Sequence, residues 1–218
     1  MPKLHTHTGP SASEGYRCVN FRLKYKKGMM QTMSRANVRR STRAICEAAI
    51  FIALALALGL VEFKIWAQGG SVDFVMIPLI IFALRWGAGW GIGAGFVYGI
   101  LKCMLLEGMV YGWQALFLDY AVAYACCGLA GFFREKRWGA EVGTVLSCVA
   151  RFLCHLFSGV ILWGMPDEYF GMQMNNVWIY SSIYNGSYML PNMIIALAVM
   201  FVLKMSLGKY LRAEDLRG

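Results

Sequence analysis

Residues 150–163, ARFLCHLFSGVILW, place an arginine and a histidine inside a segment otherwise apolar enough to cross a membrane. Ionisable groups are costly in such surroundings and generally face a partner or a cavity. Arg151 and His155 are four apart, so on a helix they stand one turn above each other on one face. Trp163 lies roughly 80° around from His155 at 100° per residue, near enough to share one broad cavity. Two more polar and aromatic islands in hydrophobic surroundings, Asp119 with Tyr120 and Tyr180 with Asn185, are expected to converge on the same space. Each basic residue alone also admits a blander reading, Arg151 as a helix-end marker and His155 as a hydrogen-bonded packing residue.

Composition extends this reading to the whole chain. Hydrophobic residues make up 58% of the 218 and charged residues 15%, and the mean hydropathy is +0.51, against about 45–50% apolar usage in soluble domains. The chain is expected to be an all-α integral membrane protein with six spans of roughly 20 residues each. A formal charge of +9 could suggest nucleic acid. Most of that excess, however, sits in the amino-terminal tail and in loops between apolar runs, where membrane topology places it, so nucleic acid is excluded. Six of the seven cysteines fall in apolar runs without ligand or disulfide spacing, so no metal and no cofactor is implied.

Residues 1–40 are polar and basic and are expected to be a disordered extension; 41–210 form the membrane domain and 211–218 a short tail. The expected spans cover 44–63, 72–86, 87–106, 113–133, 142–163 and 178–205. In the first, Ala49, Ala53 and Ala57 recur every fourth residue, a bare face that packs internally or docks a separate subunit. The loop after it holds Trp66. The second span is short or bent, with Asp73 as a cap and Pro78 inside. Gly87, Gly91, Gly95 and Gly99 give the third a ridge for close helix packing. Asn185-Gly186 and Pro191 are expected to make the first turns of the last span irregular. Basic residues gather in the tail, at Arg85, at Arg134, Lys136 and Arg137, and at Lys209 and Arg212, which puts both termini in the cytoplasm. Asp119, His155 and Trp163 then lie toward the outer side.

An aspartate, a histidine, an arginine, two tyrosines, an asparagine and a tryptophan on different helices suit a small polar aromatic compound. Trp163 and His155 offer flat faces, Asp119 a charge for a cation or amino group, and Asn185 both a donor and an acceptor. An aspartate drawn out of water is expected to pair with such a ligand, or with Arg151 or His155. Asp119 and His155 would equally serve a proton relay in a stand-alone proton-coupled transporter. Ser158 lacks any nucleophile turn, so a hydrolase is disfavoured. No phosphate-binding GxxxxGK[ST] loop is present, so the chain is not itself an ATPase of that type.

From Arg43 to about Lys209 the chain resembles the thiamine-specific substrate-binding subunits (S-components, ThiT family) of bacterial energy-coupling factor transporters. The resemblance rests on Glu47, Ala49 and Ala53 in the pattern ExAxxxA, FLDY at 117–120, GLAGFFRE at 128–135, RFLCHLFSGVILW at 151–163 and YSSIYNG at 180–186. It implies no enzyme activity. It implies instead a six-helix S-component fold in the bacterial plasma membrane, which binds thiamine from outside in a cavity capped by the loop after the first helix. The alanine face, Ala49, Ala53 and Ala57, is implied to dock a transmembrane coupling subunit driven by two cytoplasmic ATPases. Carried over by position, the substrate contacts are Asp119, Tyr120, Arg151, His155, Trp163, Tyr180 and Asn185, with Tyr98 lining the site and Trp66 capping it. The family usually has glutamate at Asp119, lysine at Arg151 and an aromatic at Gly69, which keeps a thiamine precursor or another vitamin open as the ligand.

Overall fold

The computed structural model describes residues 37–64, 70–107, 112–164 and 175–216, together with 166, 168–169 and 172–173. The chain divides into two compact units, Met1–Ile45 and Cys46–Gly218. Of the first, residues 37–45 are described and are helical.

Six helices make the fold: α1 Asn37–Gly59, α2 Met76–Trp86, α3 Ala88–Leu105, α4 Gly112–Phe133 and α5 Gly139–Trp163, then α6 Val177–Leu211. Two small antiparallel ribbons fill the longer connections. Between α1 and α2, β1 (Phe63–Lys64) pairs with β2 (Ser71–Val72), Phe63 opposite Val72. Between α5 and α6, β3 (Glu168–Tyr169) pairs with β4 (Met172–Gln173).

Among the described residues, five helices are long and apolar enough to span a bilayer. The expected second span is not among them: α2 has 11 residues, about 16 Å at 1.5 Å each, roughly half of a hydrocarbon core about 30 Å thick. It is short because Asp73, buried ahead of it, accepts the N–H of Val75 at 3.1 Å and opens the helix there. Pro78 sits in the first turn, where its missing N–H breaks no ladder bond, so α2 does not bend. Lacking a polar face, α2 is the core of the bundle: Ile80, Phe82 and Ala83 are fully buried. Large apolar side chains on the outer helices point outward instead, among them Ile50, Leu54, Ile161, Ile194 and Met205. That is the inversion expected where the surrounding solvent is lipid.

The glycine ridge of α3 packs as its spacing predicts, save at one end. A Cβ on Gly95 would lie 2.2 Å from the Tyr124 carbonyl oxygen, and one on Gly99 2.3 Å from that of Tyr120. Backbone therefore meets backbone between α3 and α4. Gly87 is not part of this ridge; at φ +92° it forms the turn that joins α2 directly to α3.

The last helix differs from expectation. It runs through Asn185, Gly186 and Pro191 without interruption, and non-helical torsions occur at Leu207. One absent N–H is absorbed in a 35-residue helix that packs along α5. The irregular backbone lies elsewhere: π-helical turns occupy Leu116–Val122 and Gly159–Trp163, and a 3-10 segment occupies Cys126–Phe133. Both π turns carry polar or aromatic residues singled out from the sequence, in keeping with the tendency of such turns to mark functional places.

Candidate functional site

α3, α4, α5 and α6 enclose a cavity of about 230 Å³, closed further by Ser71 of β2 and by Glu107. Asp119 is its polar hub. One carboxylate oxygen lies 3.0 Å from Nδ1 of His155. The other accepts the Ser158 hydroxyl at 2.6 Å and the Trp163 indole N–H at 3.2 Å. Trp163 reaches that oxygen because the π turn of 159–163 advances fewer degrees per residue than an α-helix. The turn thus brings the indole back toward the face of His155.

The histidine tautomer follows from its neighbours. Arg151 Nε always carries a hydrogen and lies 3.3 Å from His155 Nε2, which therefore accepts. The ring hydrogen is on Nδ1 and is donated to Asp119. His155 is then neutral, and the three groups that donate to Asp119 are all uncharged. Behind this pair, Arg151 is buried. Its Nη2 donates to the Tyr124 hydroxyl at 2.8 Å and its guanidinium lies 4.2 Å over the Tyr124 ring. Among the described residues, its Nη1 has no hydrogen-bond partner.

The wall opposite comes from α6. Asn185 donates from Nδ2 to the Ser181 carbonyl at 2.9 Å and to the His155 carbonyl at 3.3 Å, and its Oδ1 accepts the Tyr188 hydroxyl at 2.6 Å. Tyr180, Tyr184 and Tyr188 recur at i, i+4 and i+8 and form an aromatic strip. Tyr180 stacks on Tyr184 at 5.9 Å, Tyr184 meets Tyr188 edge-on at 5.8 Å, and Tyr188 meets His155 at 6.3 Å.

Seven residues expected at one site line this one cavity: Asp119, Tyr120, Arg151, His155, Trp163, Tyr180 and Asn185. Tyr98 does not. It is fully buried, its ring 4.8 Å edge-on from Tyr124 and its hydroxyl 3.3 Å from where a Cβ on Gly59 of α1 would lie, so it points to α1 and not into the cavity. Trp66 and Gly69 lie outside the described residues. Ala49, Ala53 and Ala57 are exposed together on α1, away from the cavity lining. Sequence reasoning missed Lys102, Tyr124, Tyr184 and Tyr188, all of which line the cavity. Tyr184 and Tyr188 were findable by stepping four residues from Tyr180. Lys102 was findable as a charge inside an apolar span. Tyr124 carried no signal until its helix was placed.

Residues 45–212 match the family described as thiamine transporter protein (Thia_YuaJ). The chain is 32% identical over 185 residues to the thiamine transporter ThiT of Bacillus subtilis (strain 168), covering 78% of this chain and 94% of that protein. It is 29% identical over 175 residues to ThiT of Lacticaseibacillus paracasei, covering 73% and 85%. A solved structure of ThiT from Listeria monocytogenes superposes with a TM-score of 0.70 at 21% identity, covering 79% of this chain and 98% of that one. The fold is thus shared with that protein.

Proposed function

The chain belongs to the thiamine transporter protein family (Thia_YuaJ), and from that premise we propose that it is the membrane subunit that captures thiamine from the outer side for import. The observation that carries this reading is Asp119. Its carboxylate lies between an indole and an imidazole, at hydrogen-bond range of both, and its three donors are uncharged. A cationic aromatic ring is the ligand such a place suits: the charge favours the cation and the two rings supply flat faces for it. The tyrosine strip of α6 and the Asn185 amide can hold a second, neutral heteroaromatic ring.

In this reading import is driven by partner ATPases, the 218-residue sequence holding no GxxxxGK[ST] phosphate loop. Ala49, Ala53 and Ala57 form an exposed small-residue face on α1, which suits close approach by a helix of a transmembrane coupling subunit worked by two ATPases. Both termini lie in the cytoplasm in this reading, in which the short α2 and the chain ahead of it make a sixth crossing, in line with the basic residues at Arg134, Lys136, Arg137 and Lys209. Protease added outside intact cells would then leave both termini uncut.

The test is titration of the purified chain with thiamine and a panel of other vitamins, followed by tryptophan fluorescence, and then uptake in vesicles. Thiamine should quench most strongly, and uptake should need the coupling subunit, the ATPases and ATP. Stronger binding of another vitamin would reassign the ligand. Uptake by the isolated chain under a pH gradient would replace the partner-driven mechanism with a proton-coupled one.

A further inference from the structure

Lys102 lies near the end of α3 with its side chain 5% exposed. An ammonium held there is costly unless it is paired, and its partners come from three elements. It donates to the Tyr124 hydroxyl of α4 at 3.1 Å. It also lies 3.7 Å from Asp73, ahead of α2, and 3.8 Å from Glu62, just after α1. The Tyr124 oxygen therefore receives two charged donors, Lys102 and Arg151 Nη2. With its lone pairs directed to both cations, its own hydrogen turns away from them. Arg151 is thereby aimed so that its Nε meets His155, and His155 in turn meets Asp119. An unbroken series of hydrogen bonds runs from Lys102 to the Asp119 carboxylate.

Lys102 is not what holds the neighbouring backbone. Asn192, buried on α6, already clamps that segment with both ends of its amide: Oδ1 accepts the Asp73 N–H and Nδ2 donates to the Ser71 carbonyl, each at 2.9 Å. What the ammonium adds is the orientation of Tyr124, and through it of Arg151. We infer that Lys102 is a positioning residue for ligand binding, acting through Tyr124 to orient Arg151 and, through His155, the Asp119 carboxylate. This rests on the reading of the cavity as the thiamine site.

The experiment measures thiamine affinity and melting temperature of the full chain with Lys102→Met, Lys102→Arg, Tyr124→Phe, the Lys102→Met/Tyr124→Phe pair and Asp119→Asn. Lys102→Met and Tyr124→Phe should each weaken thiamine by about tenfold, and the double variant should be no worse than about threefold below either, the signature of two groups acting as one unit. Lys102→Arg keeps a cation beside the phenol and should restore most of the loss. Multiplicative losses in the double variant, or no rescue by arginine, would overturn the inference. So would wild-type affinity in Lys102→Met. If Lys102→Met fails to fold, Tyr124→Phe decides, and unchanged affinity there overturns it. Asp119→Asn separates the two readings. If it weakens thiamine while Lys102→Met does not, only the role of Lys102 falls. If Asp119→Asn binds like the unaltered chain, the site assignment falls and Lys102 with it.

Discussion

Asp119 is where a single atom changes the chemistry of the cavity. Asp119→Asn preserves size and removes charge, and with thiamine as ligand it should weaken binding by roughly 2–5 kcal/mol, the scale for truncating one side of a buried charge pair. Trp163→Ala removes a stacking face at smaller cost and should also reduce ligand-induced fluorescence quenching. Calorimetry with thiamine and with an uncharged analogue lacking the thiazolium checks both. The analogue should bind Asp119→Asn as well as it binds the unaltered chain. Wild-type thiamine affinity in Asp119→Asn would remove this carboxylate from the site. Arg151, where the family resemblance implies lysine, also has a local reason. A guanidinium fork reaches His155 and Tyr124 at once, at 3.3 and 2.8 Å, which a point-like ammonium does less well.

At the scale of elements, two helix faces built of small residues differ in surroundings: that of α3 is filled by a neighbouring helix and that of α1 is exposed. On α3, Gly99 is filled from outside by the Tyr120 carbonyl, 2.3 Å from where a Cβ would lie, whereas Gly93 has open space. Gly99→Val should push α4 away, lowering stability by about 1–3 kcal/mol and weakening ligand binding, because Tyr120 and Asp119 ride on that stretch. Gly93→Val should do neither, and paired melting and binding measurements distinguish them. On α1, Ala53 is exposed, so Ala53→Trp should leave thiamine binding by the isolated chain intact while abolishing co-purification with the coupling subunit. Loss of both would show the ridge to be internal packing.

Across the molecule, Arg85 ties the ends of the second unit together. Its side chain is fully buried, bonding Glu47 of α1 at 3.1 Å, Asp215 beyond α6 at 3.0 Å and the Tyr210 carbonyl at 2.7 Å, with its guanidinium 3.5 Å over the Tyr210 ring. Glu47 also accepts the Trp86 indole N–H at 2.8 Å. Arg85→Met should cost about 3 kcal/mol, the low end for breaking a buried pair, because Asp215 is partly exposed and can turn to water. The melting temperature should fall while thiamine affinity changes little, since none of these residues lines the cavity. An unchanged melting temperature would show that the carboxy-terminal segment does not need this anchor.

Membrane character, six helices with a short second one, and seven cavity-lining residues were legible in the chain itself. Hydropathy and the 3.6-residue period are local properties, and an ionisable group in an apolar run announces itself without its partners. The family resemblance was legible for the same reason, as it rests on short ordered motifs. Packing decided the rest. The burial of α2 on all sides is what lets an 11-residue helix suffice there. Two π turns re-aimed Asp119 and Trp163, and backbone contact at Gly95 and Gly99 set Tyr124 against the cavity. The series from Lys102 through Tyr124 and Arg151 to His155 joins residues on three helices. Those residues are far apart in the chain, and only close helix packing brings them within hydrogen-bond range.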